Sequence, residues 1–277
     1  MNFKIVTDSS SDILELNGVD FESAPLKIIT AKKEYVDDKN LDVDSMVNEL
    51  LNYKGKSSTS CPNREDWLDA FGDAENIFCI TITGTLSGSY NSAVMAKAAY
   101  TEKFPNRNVF VFNTLTAGPE IALIIEKTAE LISMGKSFDE IQKEIIEYSE
   151  NTGLIFMLES MKNLANNGRV SPITAKMAGL LGIRVVGKAS ERGDLEPISK
   201  CRGEGKALEV MAEYIKKSGF KNGKIRIAHC LNENAANVLK ELLEKEHPNT
   251  DIKIYPSRGL CSYYAEKGGM LVGFERI

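Results

Sequence analysis

An α/β fold of two domains is predicted, from three observations. In the first half, short apolar runs alternate with segments carrying apolar residues at helical spacing. That alternation builds a mostly parallel sheet with flanking helices on both faces. In the second half, hairpin-like connections such as the turn Glu191-Arg192-Gly193-Asp194 occur together with two helices. That pattern predicts an α+β domain with a mixed or antiparallel sheet. Asn151-Thr152-Gly153 is the best boundary, so residues 1–152 form the N-terminal domain and 153–277 the C-terminal one.

In chain order, residues 3–6 read as a first strand ending at the polar Thr7-Asp8-Ser9-Ser10-Ser11-Asp12, with a short helix-like stretch over 13–16. Residues 24–29 and 34–36 read as strands. Residues 44–53 read as a helix, with Met46, Val47, Leu50 and Leu51 on one face and Asp42 or Asp44 as its cap. Ser57-Ser58-Thr59-Ser60-Cys61-Pro62-Asn63 reads as a loop before a helix over 64–71 that holds the only tryptophan, Trp67. Residues 77–82 form a continuous apolar run, a buried strand. It is followed by the turn Thr83-Gly84-Thr85-Leu86-Ser87-Gly88-Ser89-Tyr90-Asn91 and an alanine-rich helix over 92–100. A strand over 109–112 leads to a helix over 118–134 that stops at Gly135. Ser137 and Glu140 form a capping box for the helix over 141–149.

The second half opens with a strand at 154–158, a short helix ended by Gly168, and a further helix over 171–181. Strands follow at 183–187 and 196–199, then a helix over 205–217. A strand at 224–229, a helix over 233–245, a strand at 252–255 and a terminal strand at 268–274 complete the chain.

Composition removes several function classes. A formal charge of -5 argues against nucleic acid, which needs a basic face. No stretch of about eighteen apolar residues and no signal-peptide pattern are found, which predicts a cytoplasmic protein without integral membrane association. The five cysteines (Cys61, Cys79, Cys201, Cys230 and Cys261) are scattered and odd in number, which suits reduced thiols better than disulfides or zinc. Two histidines, His229 and His247, are too few for a histidine-rich metal centre.

Three hydroxyl-rich stretches lie in the first ninety residues, around Ser9, Thr59 and Ser87. The Ser87 stretch sits at a strand-to-helix turn, where ligands collect in open α/β sheets. Its glycines permit close backbone approach, and its helix start offers free N–H groups to an anion. An ordinary turn with Ser87 as a helix cap explains the same residues. No phosphate-binding or dinucleotide-binding glycine motif occurs, Gly84 and Ser87 do not form a nucleophile elbow, and no histidine base is evident. Hydroxyl loops without a base point to binding of a carboxylate or phosphate rather than turnover. The alternative is an enzyme acting on a small carboxylated or phosphorylated metabolite at the same loops.

Taken together, the ordered motifs resemble the DegV family of bacterial fatty-acid-binding proteins. Thr7-Asp8-Ser9-Ser10 is similar to the family's opening Thr-Asp-Ser motif, and Thr59-Ser60-Cys61-Pro62 to its Thr-Ser-x-Pro loop. Leu86-Ser87-Gly88-Ser89-Tyr90 resembles its most specific block, and Leu164 through Gly168-Arg169-Val170-Ser171 resembles its Gly-Arg segment. Arg202 with Lys206-Ala207 resembles its Arg-x-x-x-Lys-Ala stretch. The resemblance implies a long-chain fatty acid buried between the two domains, with no metal, cofactor or catalytic residue. Its carboxylate is then held by Thr59 and Ser87, with Ser58, Ser60, Ser89 and Ser9 nearby and Arg169 able to steer the acid. Tyr264 stands about where many members have a histidine, and Asn113-Thr114 where an Asp-Ser pair is usual. The implied partner is a separate fatty acid kinase, which makes acyl-phosphate for phospholipid synthesis. Core-like Ile80, Ile82, Met157, Met177, Leu180 and Leu181 are candidates for the acyl tunnel.

Overall fold

The computed structural model describes residues 2–175 and 181–276. β1 (Phe3–Asp8) and β6 (Asn76–Thr81) are the central strands of the first sheet, and β6 is buried at every residue. Apolar side chains on both faces of β6 require cover on both sides. With β2 (Asp20–Ala24) and β7 (Asn108–Asn113) they form a wholly parallel sheet in the order β2-β1-β6-β7. On one face lie α2 (Arg64–Phe71) and α3 (Ser89–Lys103), where Trp67, Phe71, Ala93, Ala96 and Tyr100 pack. On the other lie α4 (Pro119–Ser133) and α5 (Phe138–Ser149); the expected capping box of Ser137 and Glu140 opens α5.

A second, antiparallel sheet of β3 (Lys27–Thr30), β4 (Glu34–Val36) and β5 (Ser57–Ser60) has the order β4-β3-β5, with α1 (Val43–Asn52) between β4 and β5. It corrects two expectations. The single strand over 24–29 is the end of β2 and most of β3, divided by Pro25, which has no N–H to give a ladder. The hydroxyl-rich 57–60 stretch is a strand: Thr59 pairs with Ile28 and Ser58 with Ile29. The helix expected at 13–16 is also absent. A single 3-10 turn, Ser9–Ser11, follows β1 and ends at Asp12, whose φ is 60°.

The remaining strands are β8 (Thr152–Leu158), β9 (Ile183–Ala189), β10 (Leu195–Arg202), β11 (Lys224–His229), β12 (Asp251–Pro256) and β13 (Met270–Glu275). They form a mixed sheet, ordered β10-β9-β8-β13-β11-β12, antiparallel except between β11 and β12. The short α6 (Lys162–Asn166) and α7 (Pro172–Ala175) separate β8 from β9; the rest of the helix expected over 171–181 falls largely outside the described residues. α8 (Glu204–Lys217) and α9 (Glu233–Glu246) cover one face, against Met157, Val186, Met211 and Leu239. The last helix, α10 (Gly259–Ala265), was not anticipated. The Asp37 carboxylate accepts the N–H groups of Gly259 and Leu260, each at 2.8 Å, so a residue more than two hundred positions away caps it.

The two halves are joined by apolar and polar contacts. Phe156, Leu158 and Val185 share a core cluster with Ile28, Tyr35 and Met46 from before residue 152. α4 packs on β13, where a β-carbon on Gly273 would come within 2.5 Å of Pro119. The buried Arg226 donates to Glu126 of α4 at 2.6 and 2.7 Å and to Asp251 at 2.8 Å. No described helix is long and apolar enough to cross a membrane.

Candidate functional site

A cavity of about 280 Å³ lies between the carboxyl ends of the parallel sheet and the inner face of the mixed sheet. Its apolar wall comes from alternate residues of β8, Leu154, Phe156 and Leu158, with Leu271 of β13 beside them. Leu26, Ile82 and Leu260 face them from the other side. The two-residue period of a strand explains the selection: Ile155 and Met157 point instead into the α8/α9 core.

The polar lining is one contiguous arc. Tyr264 and Thr59 share a hydroxyl hydrogen bond of 2.7 Å. Ser60 and Cys61 follow on the same strand end, and Cys61 Sγ lies 3.2 Å from where a β-carbon on Gly88 would be. Absence of that β-carbon lets the Thr59 strand approach the Ser87 turn. Ser87 Oγ accepts the Ser89 N–H at 3.2 Å, which leaves its own proton for a ligand. Arg169 Nε donates to the Leu86 carbonyl at 3.0 Å, and Arg169 also donates to the Asn167 carbonyl. No described carboxylate lies within 4.0 Å of the Arg169 guanidinium. Gly88, the N-cap of α3, also lines the cavity and has no side-chain cap. The helix thus adds its N-terminal partial charge to that of Arg169.

Burial pushes the Tyr264 phenol upward, against the Thr59 hydrogen bond and the Arg169 charge, so it is a neutral hydroxyl. Burial likewise raises the Cys61 thiol and leaves it protonated. The arc offers hydroxyl donors and one cation, with no base beside a nucleophile. His229 has its Nδ1 engaged by the Asn232 N–H at 3.3 Å, and His247 packs on Phe220; neither lines the cavity. Among the described residues no group of three metal-ligating side chains forms.

Of the residues singled out from the sequence, Thr59, Ser60, Ser87, Arg169 and Tyr264 come together on the lining. Ser58, on β5 before Thr59, is exposed and does not line the cavity. Ser89 is fully buried, donating to Asp8 Oδ2 at 2.5 Å, and Ser9 Oγ accepts the Leu26 N–H at 3.0 Å. Asp8 also accepts the Ile82 N–H at 3.0 Å and bonds with Ser10. It is the hub that ties β1 to the Ser87 turn, beneath the cavity rather than in it. Asn113 accepts the Gly84 N–H at 2.9 Å and so holds that turn.

Of the tunnel candidates, Ile82 lines the cavity; Ile80 packs with Ile5 and Ile121, and Leu181 is fully exposed. Met177 and Leu180 lie outside the described residues. Leu154, Phe156 and Leu158 were missed, although the two-residue period of 154–158 distinguishes them from Met157 once the inner face is known.

The family described as "Uncharacterised protein, DegV family" matches residues 2–276. A DegV domain-containing protein of Streptococcus pneumoniae is 43% identical over 279 residues, covering 99% of each chain. Among solved structures, the Streptococcus pneumoniae Fatty Acid Kinase (Fak) B3 protein loaded with linoleic acid matches with a TM-score of 0.98 at 43% identity, covering 100% of both chains. A DegV family protein from Eubacterium eligens loaded with heptadecanoic acid gives 0.97 at 42% identity, covering 99% of this chain and 100% of that one.

Proposed function

The chain belongs to the DegV family, and from that premise we propose that it binds a long-chain fatty acid and presents it to a separate fatty acid kinase for acyl-phosphate formation. One observation carries the reading: the cavity lining divides into a single polar arc and an otherwise apolar wall. A carboxylate with a long alkyl tail has the same division. The acid lies between the N-terminal domain, residues 1–152, and the C-terminal domain, residues 153–277. Thr59 and Ser87 donate to the carboxylate, Ser60 and Tyr264 flank it, and Arg169 supplies the opposite charge. A buried carboxylate without such partners would be strongly disfavoured. Ser9 and Ser89 support the site by holding its loops to Asp8 and Leu26. The protein is the carrier, not the catalyst, and a cytoplasmic location goes with that role.

Mass spectrometry of the protein purified from cells, native and then denatured, tests this. A stoichiometric fatty acid released on denaturation is the expected result. A ligand-free mass that persists after incubation with a panel of fatty acids would overturn it and bring forward the enzyme acting on a small carboxylated or phosphorylated metabolite. Presentation is tested by adding a purified fatty acid kinase and ATP and following acyl-phosphate; none formed from the loaded protein would remove that part.

A further inference from the structure

The apolar wall holds one large aromatic side chain, Phe156, and its position depends on a glycine in the next strand. Across the mixed sheet, Phe156 pairs with Leu271 on one side and with Gly187 on the other. These three positions form one row on the face that looks into the cavity. Phe156 and Leu271 line the cavity, and Gly187 does not. A β-carbon at Gly187 would lie 2.4 Å from Cζ and 2.7 Å from Cε2 of the Phe156 ring. The ring therefore occupies the volume that any other residue at 187 would fill. It lies over the backbone of β9, tilted away from Leu271.

We propose that Gly187 is a specificity-determining residue: by giving the Phe156 ring a place against β9, it sets the width of the acyl channel. This rests on the fatty-acid reading above. A side chain at 187 displaces the ring. On its other faces Phe156 packs in a core cluster with Leu158, Val185 and Ile28, and interiors of that density yield little. The cavity is the open direction, so the ring swings toward Leu271 and narrows the channel. A straight saturated chain tolerates a narrower channel better than one bent by cis double bonds. Gly187 thus permits wide, bent chains, and a β-carbon there selects against them.

The test is a double-mutant cycle read by fatty-acid affinity, comparing palmitic acid with linoleic acid. Gly187→Ala is expected to weaken linoleic acid about tenfold relative to palmitic acid, the scale of one methylene in an apolar pocket. A β-carbon at 187 would also approach the Glu196 carbonyl at 2.8 Å, so Gly187→Ala could fail to fold. Phe156→Leu provides the second arm: it empties the same space from the other side and is expected to shift preference toward linoleic acid. In the double variant the leucine no longer occupies the β-carbon position, and the preference of Gly187→Ala is expected to be reversed. Equal effects on both acids in Phe156→Leu, or a folded Gly187→Ala with unchanged preference, would overturn the proposal. If the wild-type protein binds neither acid, the fatty-acid reading itself fails, an outcome distinct from binding without a change in preference.

Discussion

Two polar clusters lie close together at the carboxyl ends of β1 and β6, and they are used in opposite ways. Around Asp8, every donor is already engaged: Ser10, Ser89 and the Ile82 N–H all point at one buried carboxyl group. Around Thr59 and Ser87, the hydroxyls keep protons or lone pairs that the protein does not consume, and they face an open cavity. Both clusters are built from the same side-chain types. A closed cluster holds loops in place, while an open one can hold a ligand.

Substitutions can break that contrast, and Asp8→Ala is the most severe. It leaves the Ile82 N–H and the Ser89 hydroxyl buried without partners, each worth about 1–3 kcal/mol. A loss on the order of 3 kcal/mol in urea denaturation is expected; unchanged stability would mean that Asp8 is not the hub. Thr59→Ala with Ser87→Ala removes donors only from the open cluster. Fatty-acid affinity is expected to fall by about 2–3 kcal/mol, roughly thirty- to more than a hundredfold, while the ligand-free protein stays folded and loses only about 1–2 kcal/mol, from the hydrogen bonds to the Ser89 N–H and the Tyr264 hydroxyl. A folded double variant with intact affinity would remove the site assignment. Tyr264→Phe deletes a single neutral hydrogen bond, and titration calorimetry should register about 1 kcal/mol of lost affinity.

A second kind of test sharpens the comparison through pH. Asp12 is buried with one oxygen unpartnered, and burial pushes its carboxyl from 3.8 up to about 8, with Asp37 adding in the same direction and the Arg258 N–H and Arg258 charge opposing. The folded state holds this proton more tightly than the unfolded one. Its contribution to stability is therefore complete below about pH 4 and is lost as pH rises toward 8. Asp12→Asn, compared with wild type at pH 5 and pH 8, should lose less stability across that interval; an equal loss in both would exclude Asp12 as the source. Ser58→Ala, on the exposed face of β5, is expected to change neither affinity nor stability beyond about 0.5 kcal/mol.

Local pattern made much of the molecule legible. The buried run over 77–82, the capping box at Ser137 and Glu140, and the left-handed glycines Gly135 and Gly168 are all found in the structure, at φ 73° for both glycines. These features depend on periodicity and capping within a few residues, so one segment is enough to reveal them. The motifs around Thr59, Ser87 and Arg169 were visible as polar residues beside strand ends and helix starts. Less legible were β5 and α10, because each is held by distant groups: Ile28 and Ile29 give Thr59 and Ser58 their ladder partners, and Asp37 caps Gly259 and Leu260.

By itself, then, the sequence determined the alternation of strand and helix, the hydroxyl-rich turns and the pool of residues from which a site is drawn. Tertiary structure decided which of them face the cavity. It turned Thr59 inward and Ser58 outward on one strand, closed Ser89 onto Asp8, and chose Phe156 over Met157 for the apolar wall. The physical reason is that side-chain direction on a strand alternates with every residue, so the sign of that alternation is fixed only when the sheet packs against its neighbour. A hydroxyl likewise becomes available to a ligand only where packing has left it without a protein acceptor.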